Sequence, residues 1–463
     1  MLDKIFKAYD VRGTYPDQIN EQAAWQIGVA AGRFLKDHPE KPTGEMGNTV
    51  LVSRDMRKSS PSLCEALIEG IRAAGMNVID LGMADTSFKY FAVNHLQAAG
   101  AIQTTASHNP PQYNGFKFSG PMAKPIGAQS GLNDIKEIAK TVGERGSIEL
   151  TGSVEQRDLW SEYREHVLQF LAPLDKKITV FIDASNGMAG KLIPAVFSDV
   201  PNLDIKDLNF EITGEFAHDP NPLVAENMIP TQEGVRETGA DLGACFDGDA
   251  DRCMITDEKG VTVGCDHLTA LLCEDFLQQS PDSAIVYDLR SSKVVEETIK
   301  AHGGKPERSR VGHVFMKAQL RETGGVFGGE LSGHFYFRGN HFADSGAITL
   351  ACVLSVMNRT GKKLSELIEP YRKYPQSGEI NFKTEDKDAV LQALKDKYGV
   401  GATIDELDGV TIDSFDGSGW WFNVRASNTE PLLRLNAEAK DQQTLDGLLS
   451  DITPMLGTVA EGH

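Results

Sequence analysis

The run Thr104-Thr105-Ala106-Ser107-His108-Asn109-Pro110-Pro111 sets the strongest constraint on how this chain can fold. Ala99-Gly100-Ala101-Ile102-Gln103-Thr104, just before it, combines small and β-favouring residues and predicts a short strand. Asn109-Pro110-Pro111 must then end regular structure, because each proline fixes φ and restricts the residue before it. Ser107 is thereby held on a stiffened loop at the carboxyl end of a strand, where open α/β sheets place ligands. His108 stands beside it, and Lys117 follows Gly115 by two residues. A serine so placed can be phosphorylated or attack an electrophile. Taken alone, the same residues read more readily as an Asn-Pro turn with polar neighbours.

The surrounding pattern supports an α/β scaffold. Ala24, Ile27, Ala31 and Phe34-Leu35 form a helical stripe, Val50-Leu51-Val52 a strand, and Ser60-Pro61 an N-cap with proline at the first helical position. The helix through Leu63, Leu67 and Ile71 is expected to end at Gly75, and Val78-Ile79-Asp80-Leu81 completes a βαβ unit. A polar break at 143–153 precedes a linking helix near Trp160 to Leu171. A second unit opens with Ile178 to Ile182 and closes with Leu242 to Phe246. A third starts near Gly260, with Asp266 as a helix cap, a strand from Ala284 to Tyr287, a strand-loop from Gly325 to His334 and a helix from Ala347 to Met357. From about Pro375 four antiparallel strands are expected at Ile380, Val410, Trp420 and Leu432, with helices at Lys387 to Tyr398 and Gln442 to Met455. The fold class is therefore α/β: three consecutive units with mixed sheets, then a C-terminal α+β domain. The expected boundaries are 1–150, 151–258, 259–372 and 373–463.

Further stretches carry chemistry. Asp247, Asp249 and Asp251 alternate with small residues and share one face in extended chain. Three ionised carboxylates need a cation, and a hard divalent ion suits them. Glu258 falls at the twelfth position of a calcium EF-hand, but Arg252 stands where that loop needs glycine. An open coordination shell that can accept a phosphate oxygen favours magnesium, while a solvated acidic turn is the plain alternative. Gly329-Glu330-Leu331-Ser332-Gly333-His334 offers a carboxylate and a hydroxyl suited to sugar hydroxyls, or a tight turn. Arg425-Ala426-Ser427-Asn428-Thr429-Glu430-Pro431 offers a guanidinium, hydroxyls and turn N–H groups suited to a phosphate, or a polar hairpin loop. Arg12, before Gly13, and His313, after Gly312, add a cation and an imidazole in glycine-bounded loops.

Composition narrows the function classes. A net charge of −20 argues against nucleic-acid and anionic-membrane surfaces. It leaves an anionic small molecule open, because screening over ~8 Å puts local cleft charges in control. The six cysteines form no CxxC pair, so reduced, mostly buried thiols are expected and cysteine-held zinc is not. Met1-Leu2-Asp3-Lys4-Ile5 lacks a signal-peptide core, and the apolar run near Ala347 is too short for a bilayer, so a cytoplasmic protein is expected.

The serine loop Thr105 to Pro110, the metal loop Asp247 to Arg252, the sugar loop Gly329 to His334 and the phosphate loop Arg425 to Pro431 occur in this order. Together they resemble the α-D-phosphohexomutases, in particular the bacterial phosphomannomutase/phosphoglucomutase branch, almost end to end. The resemblance implies four domains around a central cleft, each giving one loop: phosphoserine, metal, sugar and phosphate, in chain order. It implies Ser107 as the phosphoserine, with its phosphate oxygen joining Asp247, Asp249 and Asp251 on Mg²⁺. Arg12 and Lys117 would stabilise the transferring phosphoryl group, and His334 would move protons beside His108 and Lys117. Arg252, His313, Glu330 and Ser332 would contact the sugar, and Arg425, Ser427, Asn428 and Thr429 the non-reacting phosphate. The implied reaction interconverts hexose 6-phosphate and hexose 1-phosphate, of mannose, glucose or both, through a hexose 1,6-bisphosphate that also serves as activator. Phosphosugars would be the partners of a monomer or small homo-oligomer.

Two departures matter. Ala250 replaces the glycine usual in the metal loop, and Arg290 stands where some relatives carry a substrate-site lysine. A phosphoglucosamine mutase is the alternative within the class. A catalytically silent sugar-phosphate binder and a magnesium phosphatase using Asp247 as nucleophile lie outside it. Intact Ser107, Lys117 and aspartates oppose the silent binder, and the phosphatase leaves the serine loop without a purpose.

Overall fold

The computed structural model describes residues 2–426 and 432–460. The chain forms two compact units. One runs to Val263 and takes in Ser332–Ser365; the other holds Gly264–Leu331 and the chain from Glu366 onward.

In the first unit, β1 (Val11–Thr14), β2 (Thr49–Arg54), β3 (Asn77–Met83), β4 (Gly100–Thr104), β5 (Tyr113–Ser119) and β6 (Val154–Gln156) make one sheet in the order β1-β5-β4-β2-β3-β6. The pairs of β2 with β3 and β4 are parallel, whereas β5 runs antiparallel to both β4 and β1. That reversal follows from the serine loop: β4 and β5 are joined by the short segment 105–112, too brief for a parallel crossover. The core sets Ile27, Ala31 and Leu35 of helix Glu21–Lys36 against Leu63, Leu67 and Ile71 of helix Ser60–Ala73 and Val50 and Val52 of β2. Each buried Val, Leu or Ile side chain among them contributes about 1.5–3 kcal/mol. The two helices touch backbone to backbone. A Cβ at Gly28 would stand 2.3 Å from Leu67 O, and one at Gly70 2.4 Å from Trp25 O.

The second sheet of this unit uses β7 (Ile178–Asp183), β8 (Leu203–Leu208), β9 (Leu242–Phe246) and β10 (Cys253–Asp257), in the order β10-β9-β7-β8. Only the β9–β10 pair is antiparallel, and the metal loop is its turn. In the second unit β11 (Ala284–Asp288), β12 (Lys305–Ser309) and β13 (Phe327–Gly329) are parallel, with β11 between the other two. The short strands β14 (Phe335–Phe337) and β15 (Ala343–Asp344), with helix Gly346–Thr360, belong to the first unit.

The C-terminal region is antiparallel, as expected from its four strand stretches. β16 (Gln376–Lys383), β17 (Thr403–Asp405), β18 (Val410–Ser414), β19 (Trp420–Ala426), β20 (Leu432–Ala439) and β21 (Thr458–Val459) pair in the order β17-β18-β19-β20-β16-β21. Phe382, Ile412, Phe422, Leu433 and Leu435 point to one face, which helices Lys387–Tyr398 and Gln442–Leu456 cover with Leu394, Leu445, Leu448 and Ile452.

Local details depart from expectation at two helix starts. Ser59, not Ser60, is the cap residue, and its side chain makes no capping bond; Pro61 still lies in the first turn. Asp266 sits inside helix Cys265–Gln279, which Gly264 precedes, and its carboxylate accepts from the backbone N–H of His267 and Ser292. Gly75 follows its helix at φ +79°, as the C′ reading requires. All six cysteines are free and buried.

Candidate active site

Strand ends bring the serine and metal loops together. β4 delivers Ser107 and β9 delivers Asp247, whose Oδ2 accepts the Ser107 hydroxyl at 2.8 Å. Backbones meet as closely as side chains. A Cβ on Gly248 would lie 2.4 Å from Ser107 O, so glycine is required there. Ser107 and Ala250 both sit in the left-handed region, at φ +49° and +58°. That conformation is uncommon for residues with a Cβ and costs on the order of 1–3 kcal/mol each. Ala250 therefore occupies the geometry that glycine would adopt freely.

Lys117 ties the remaining carboxylates. From β5 its ammonium donates to Asp249 Oδ2 at 2.8 Å and Asp251 Oδ2 at 2.6 Å. Burial pulls the Lys117 pKa down, but the three aspartates outweigh it and push the group above the lysine range. Asp247 moves to about 8, through burial and then repulsion from Asp251 and Asp249. Asp251 stays well below the carboxylate range because Lys117 and His334 outweigh its burial. Carboxylate oxygens from the three residues lie within 4.8 Å of one another. Buried Asp249 Oδ1 has no hydrogen-bond partner among the described residues. Three buried hard oxygen donors with an unsatisfied lone pair fit a magnesium-sized cation.

Other expected residues surround this centre. Arg252 donates its backbone N–H to Asp247 Oδ1 at 3.3 Å, and its guanidinium lies 3.7 Å from Oδ2. His334 Nε2 is 3.3 Å from both Asp251 Oδ1 and Arg252 Nε, while its Nδ1 is 2.8 Å from Ser332 Oγ. His108 Nδ1 lies 3.3 Å from Ser107 Oγ. Burial, then Arg252, Arg12 and Lys117, hold the His108 pKa well below the usual imidazole value. Arg12 donates to Asn109 Oδ1 and Asp10 Oδ2, both at 2.5 Å, which places a guanidinium on the serine loop.

In the second unit Glu330 Oε1 accepts from Gly312 N–H at 2.7 Å, so the sugar-loop carboxylate stands at the turn that leads into His313. Arg425, at the end of β19, is buried and donates to Glu379 Oε2 at 3.1 Å. Ser427, Asn428 and Thr429 lie outside the described residues.

Sequence reasoning missed Arg57, a fully buried guanidinium that fastens the serine loop. Nη2 donates to Ser107 O at 2.8 Å and Asn109 O at 2.6 Å; Nη1 donates to Pro110 O at 2.7 Å and Tyr113 O at 3.1 Å. Asp55 pairs with its Nε at 3.1 Å. The signal available was Arg54-Asp55-Met56-Arg57, a charged cluster at the carboxyl end of a strand. Thr86, whose hydroxyl donates to Asp249 Oδ2 at 2.5 Å, and Asp344, 3.7 Å from His334 Nε2, were missed as well.

Four domain models described as phosphoglucomutase/phosphomannomutase match in succession: α/β/α domain I over residues 3–146, domain II over 161–260, domain III over 265–374, and the C-terminal domain over 379–454. The chain belongs to the phosphoglucomutase/phosphomannomutase family. It is 37% identical to the phosphohexose mutases of Xanthomonas campestris, over 97% of this chain and 98% of theirs. It is 35% identical to a phosphomannomutase of Salmonella montevideo, over 98% of this chain and 99% of that one. A crystal structure of a phosphoglucomutase/phosphomannomutase family protein from Burkholderia thailandensis superposes with a TM-score of 0.87 at 31% identity, covering 98% of this chain and 96% of the other. The family is one of isomerases that shift a phosphoryl group within a molecule, and the chain is an enzyme of that class. Among the described residues no helix is long and apolar enough to cross a membrane.

Proposed function

We propose that the protein interconverts hexose 6-phosphate and hexose 1-phosphate, of mannose, glucose or both, through a phosphorylated Ser107 and a hexose 1,6-bisphosphate. The carrying observation is the 2.8 Å bond from Ser107 Oγ to Asp247 inside a buried three-carboxylate cluster. Asp247, Asp249 and Asp251, with a phosphoserine oxygen, would hold Mg²⁺, which when bound supplies charge neutralisation for the transferring phosphoryl group. In the first half-reaction the Oγ–P bond breaks as the sugar hydroxyl oxygen bonds to phosphorus, and the hydroxyl proton passes to a protein base. Lys117 and Arg12 stabilise the equatorial charge, and His334 and His108 are the groups placed for proton transfer. The bisphosphate then turns over, and its other phosphate returns to Ser107. Arg252, His313, Glu330 and Ser332 hold the sugar, while Arg425 with Ser427, Asn428 and Thr429 holds the distal phosphate. A cytoplasmic setting fits six free, buried cysteines.

The test is one coupled assay of mannose, glucose and glucosamine phosphates with a bisphosphate activator. The expected result is conversion of the manno and gluco epimers. Glucosamine 6-phosphate as the preferred substrate would move the protein to the phosphoglucosamine branch. Binding of all three without conversion would make it a silent binder.

A further inference from the structure

Arg425 and Arg434 are direct cross-strand partners on β19 and β20. Like charges placed opposite one another destabilise a sheet, so this pair needs an anion. Glu379, on β16 at the other side of β20, supplies one. Its Oε1 faces Arg434 Nη1 at 3.1 Å, while Oε2 accepts from Arg425 Nη2 and from Arg290 Nη1, each at 3.1 Å. One carboxylate thus serves three guanidiniums. Arg290 also has its own partner, since Asp288 takes its Nε at 3.0 Å and its Nη2 at 2.6 Å. Arg290 is thus held by two carboxylates and Arg425 by one.

The two arginines are held differently. Asp288 grips Arg290 at two nitrogens, the fork geometry a planar guanidinium favours. Glu379 takes Arg425 at a single nitrogen, although Arg425 is only 3% exposed. Buried Arg425 Nε has no hydrogen-bond partner among the described residues. A brace built only for stability would use the paired face of the guanidinium. Here that face is left for another anion, and a tetrahedral oxyanion with two oxygens to offer is the class that fits it.

We propose that Glu379 is the resident counter-ion of the distal-phosphate site, a carboxylate that the incoming phosphate displaces from Arg425 so that the grip remains releasable. This rests on the mutase reading, in which a bisphosphate must let go, turn over and be gripped again. Glu379 acts through Arg425 and is a positioning residue. Removing its charge should tighten phosphate binding and slow release, which moves KM and kcat downward together.

The experiment titrates inorganic phosphate into the full-length enzyme by calorimetry and measures KM, kcat and free bisphosphate released per turnover. Glu379→Gln should bind phosphate about fivefold more tightly, equivalent to about 1 kcal/mol. KM and kcat should both fall, and less bisphosphate should escape. Glu379→Asp, with the charge retained on a shorter arm, should lie between wild type and Glu379→Gln. In Arg425→Ala/Glu379→Gln the tightening should vanish. Phosphate affinity unchanged or weakened in Glu379→Gln overturns the proposal and leaves Glu379 a brace. If Glu379→Gln does not fold, an equal or weaker affinity in Glu379→Asp overturns it. A wild type that converts no hexose phosphate while Glu379→Gln still tightens phosphate through Arg425 defeats the mutase reading alone.

Discussion

The serine centre and the arginine cluster solve opposite problems with the same kinds of side chain. At the serine centre Asp247 and Asp249 are fully buried and Lys117 is 7% exposed, and every cation there faces a carboxylate. In the arginine cluster the Glu379 and Arg434 side chains are 27% and 24% exposed, and one carboxylate, Glu379, faces three guanidiniums. A sealed and nearly balanced cluster is fixed in position, because loosening one charge strands another in a low-dielectric interior. A half-open cluster in contact with water can change partners at small cost. The first suits a reacting group that must stay aligned; the second suits a grip that must be released.

The largest effects should come from the sealed centre. Ser107→Ala should lower kcat more than about a thousandfold, some 4 kcal/mol in the transition state. Intact-mass analysis should show the loss of one phosphate that wild type surrenders on incubation with substrate. Full activity in Ser107→Ala, with phosphate retained elsewhere, would remove the serine from the mechanism. Chelation should abolish turnover just as completely while the far-UV circular dichroism stays unchanged, because Lys117 and Arg252 already offset much of the carboxylate charge. Added Mg²⁺ should restore activity. Undiminished turnover in metal-free enzyme would make the aspartates a purely structural network.

Arg57 comes next, and tests whether rigidity is what the sealed centre supplies. Arg57→Lys keeps a cation near Asp55 but cannot reach four carbonyls at once. We expect a loss of about 3 kcal/mol in unfolding free energy, from buried loop carbonyls left without a donor. A fall in kcat of about a hundredfold should accompany it, the scale of one lost oriented contact, with KM little changed. A variant with normal kcat and lowered stability would show that the loop keeps its alignment without the clamp.

These residues also mark where the sequence was legible. The serine and metal loops could be read because their chemistry is local: adjacent residues on one strand end suffice to suggest the site. The antiparallel C-terminal sheet was visible in Trp420 to Val424 and Leu432 to Leu435, short runs of β-favouring and apolar residues that are almost wholly buried. Arg57 and Glu379 were not visible, because their roles exist only after strand pairing. Arg57 reaches 50 residues along the chain to Ser107, and Glu379 reaches 46 to Arg425. The Asp266 cap failed for a related reason: its two carboxylate oxygens accept from the backbone N–H groups of His267 and Ser292, and the second is distant in sequence.

Arg425→Ala probes the half-open cluster directly and should be milder. KM should rise about tenfold, near the value of one charge-assisted contact. More bisphosphate should also escape per turnover. Since Glu379 keeps Arg290 and Arg434, the domain should remain folded. An unchanged KM together with an unchanged bisphosphate yield would remove the phosphate loop from the cycle.

The smallest effect concerns a charged pair in the first unit that takes no part in the proposed chemistry, and it asks whether sealing alone demands a catalytic role. His218 Nε2 lies 3.0 Å from Asp183 Oδ2, and its Nδ1 lies 2.9 Å from Asp219 O. Both ring nitrogens face acceptors, so only the imidazolium can donate at both. The Asp183 hydrogen bond, against the opposing effect of burial, raises the His218 pKa above its usual value. A raised folded-state pKa means that the folded protein holds the proton more tightly than the unfolded chain. The resulting stability is complete below about pH 6.5, the unfolded histidine value, and is lost as pH climbs through the folded value. After discounting for water at the half-buried ring, the pair is worth about 1 kcal/mol. Urea unfolding of wild type and His218→Asn should therefore differ by about that much near pH 6 and by clearly less near pH 9. Turnover at a fixed pH should be the same in both proteins. An equal stability gap at the two pH values would mean that the ring is neutral and merely fills space. A loss of turnover would mean that the contrast between the sealed serine centre and the rest of the first unit is drawn in the wrong place.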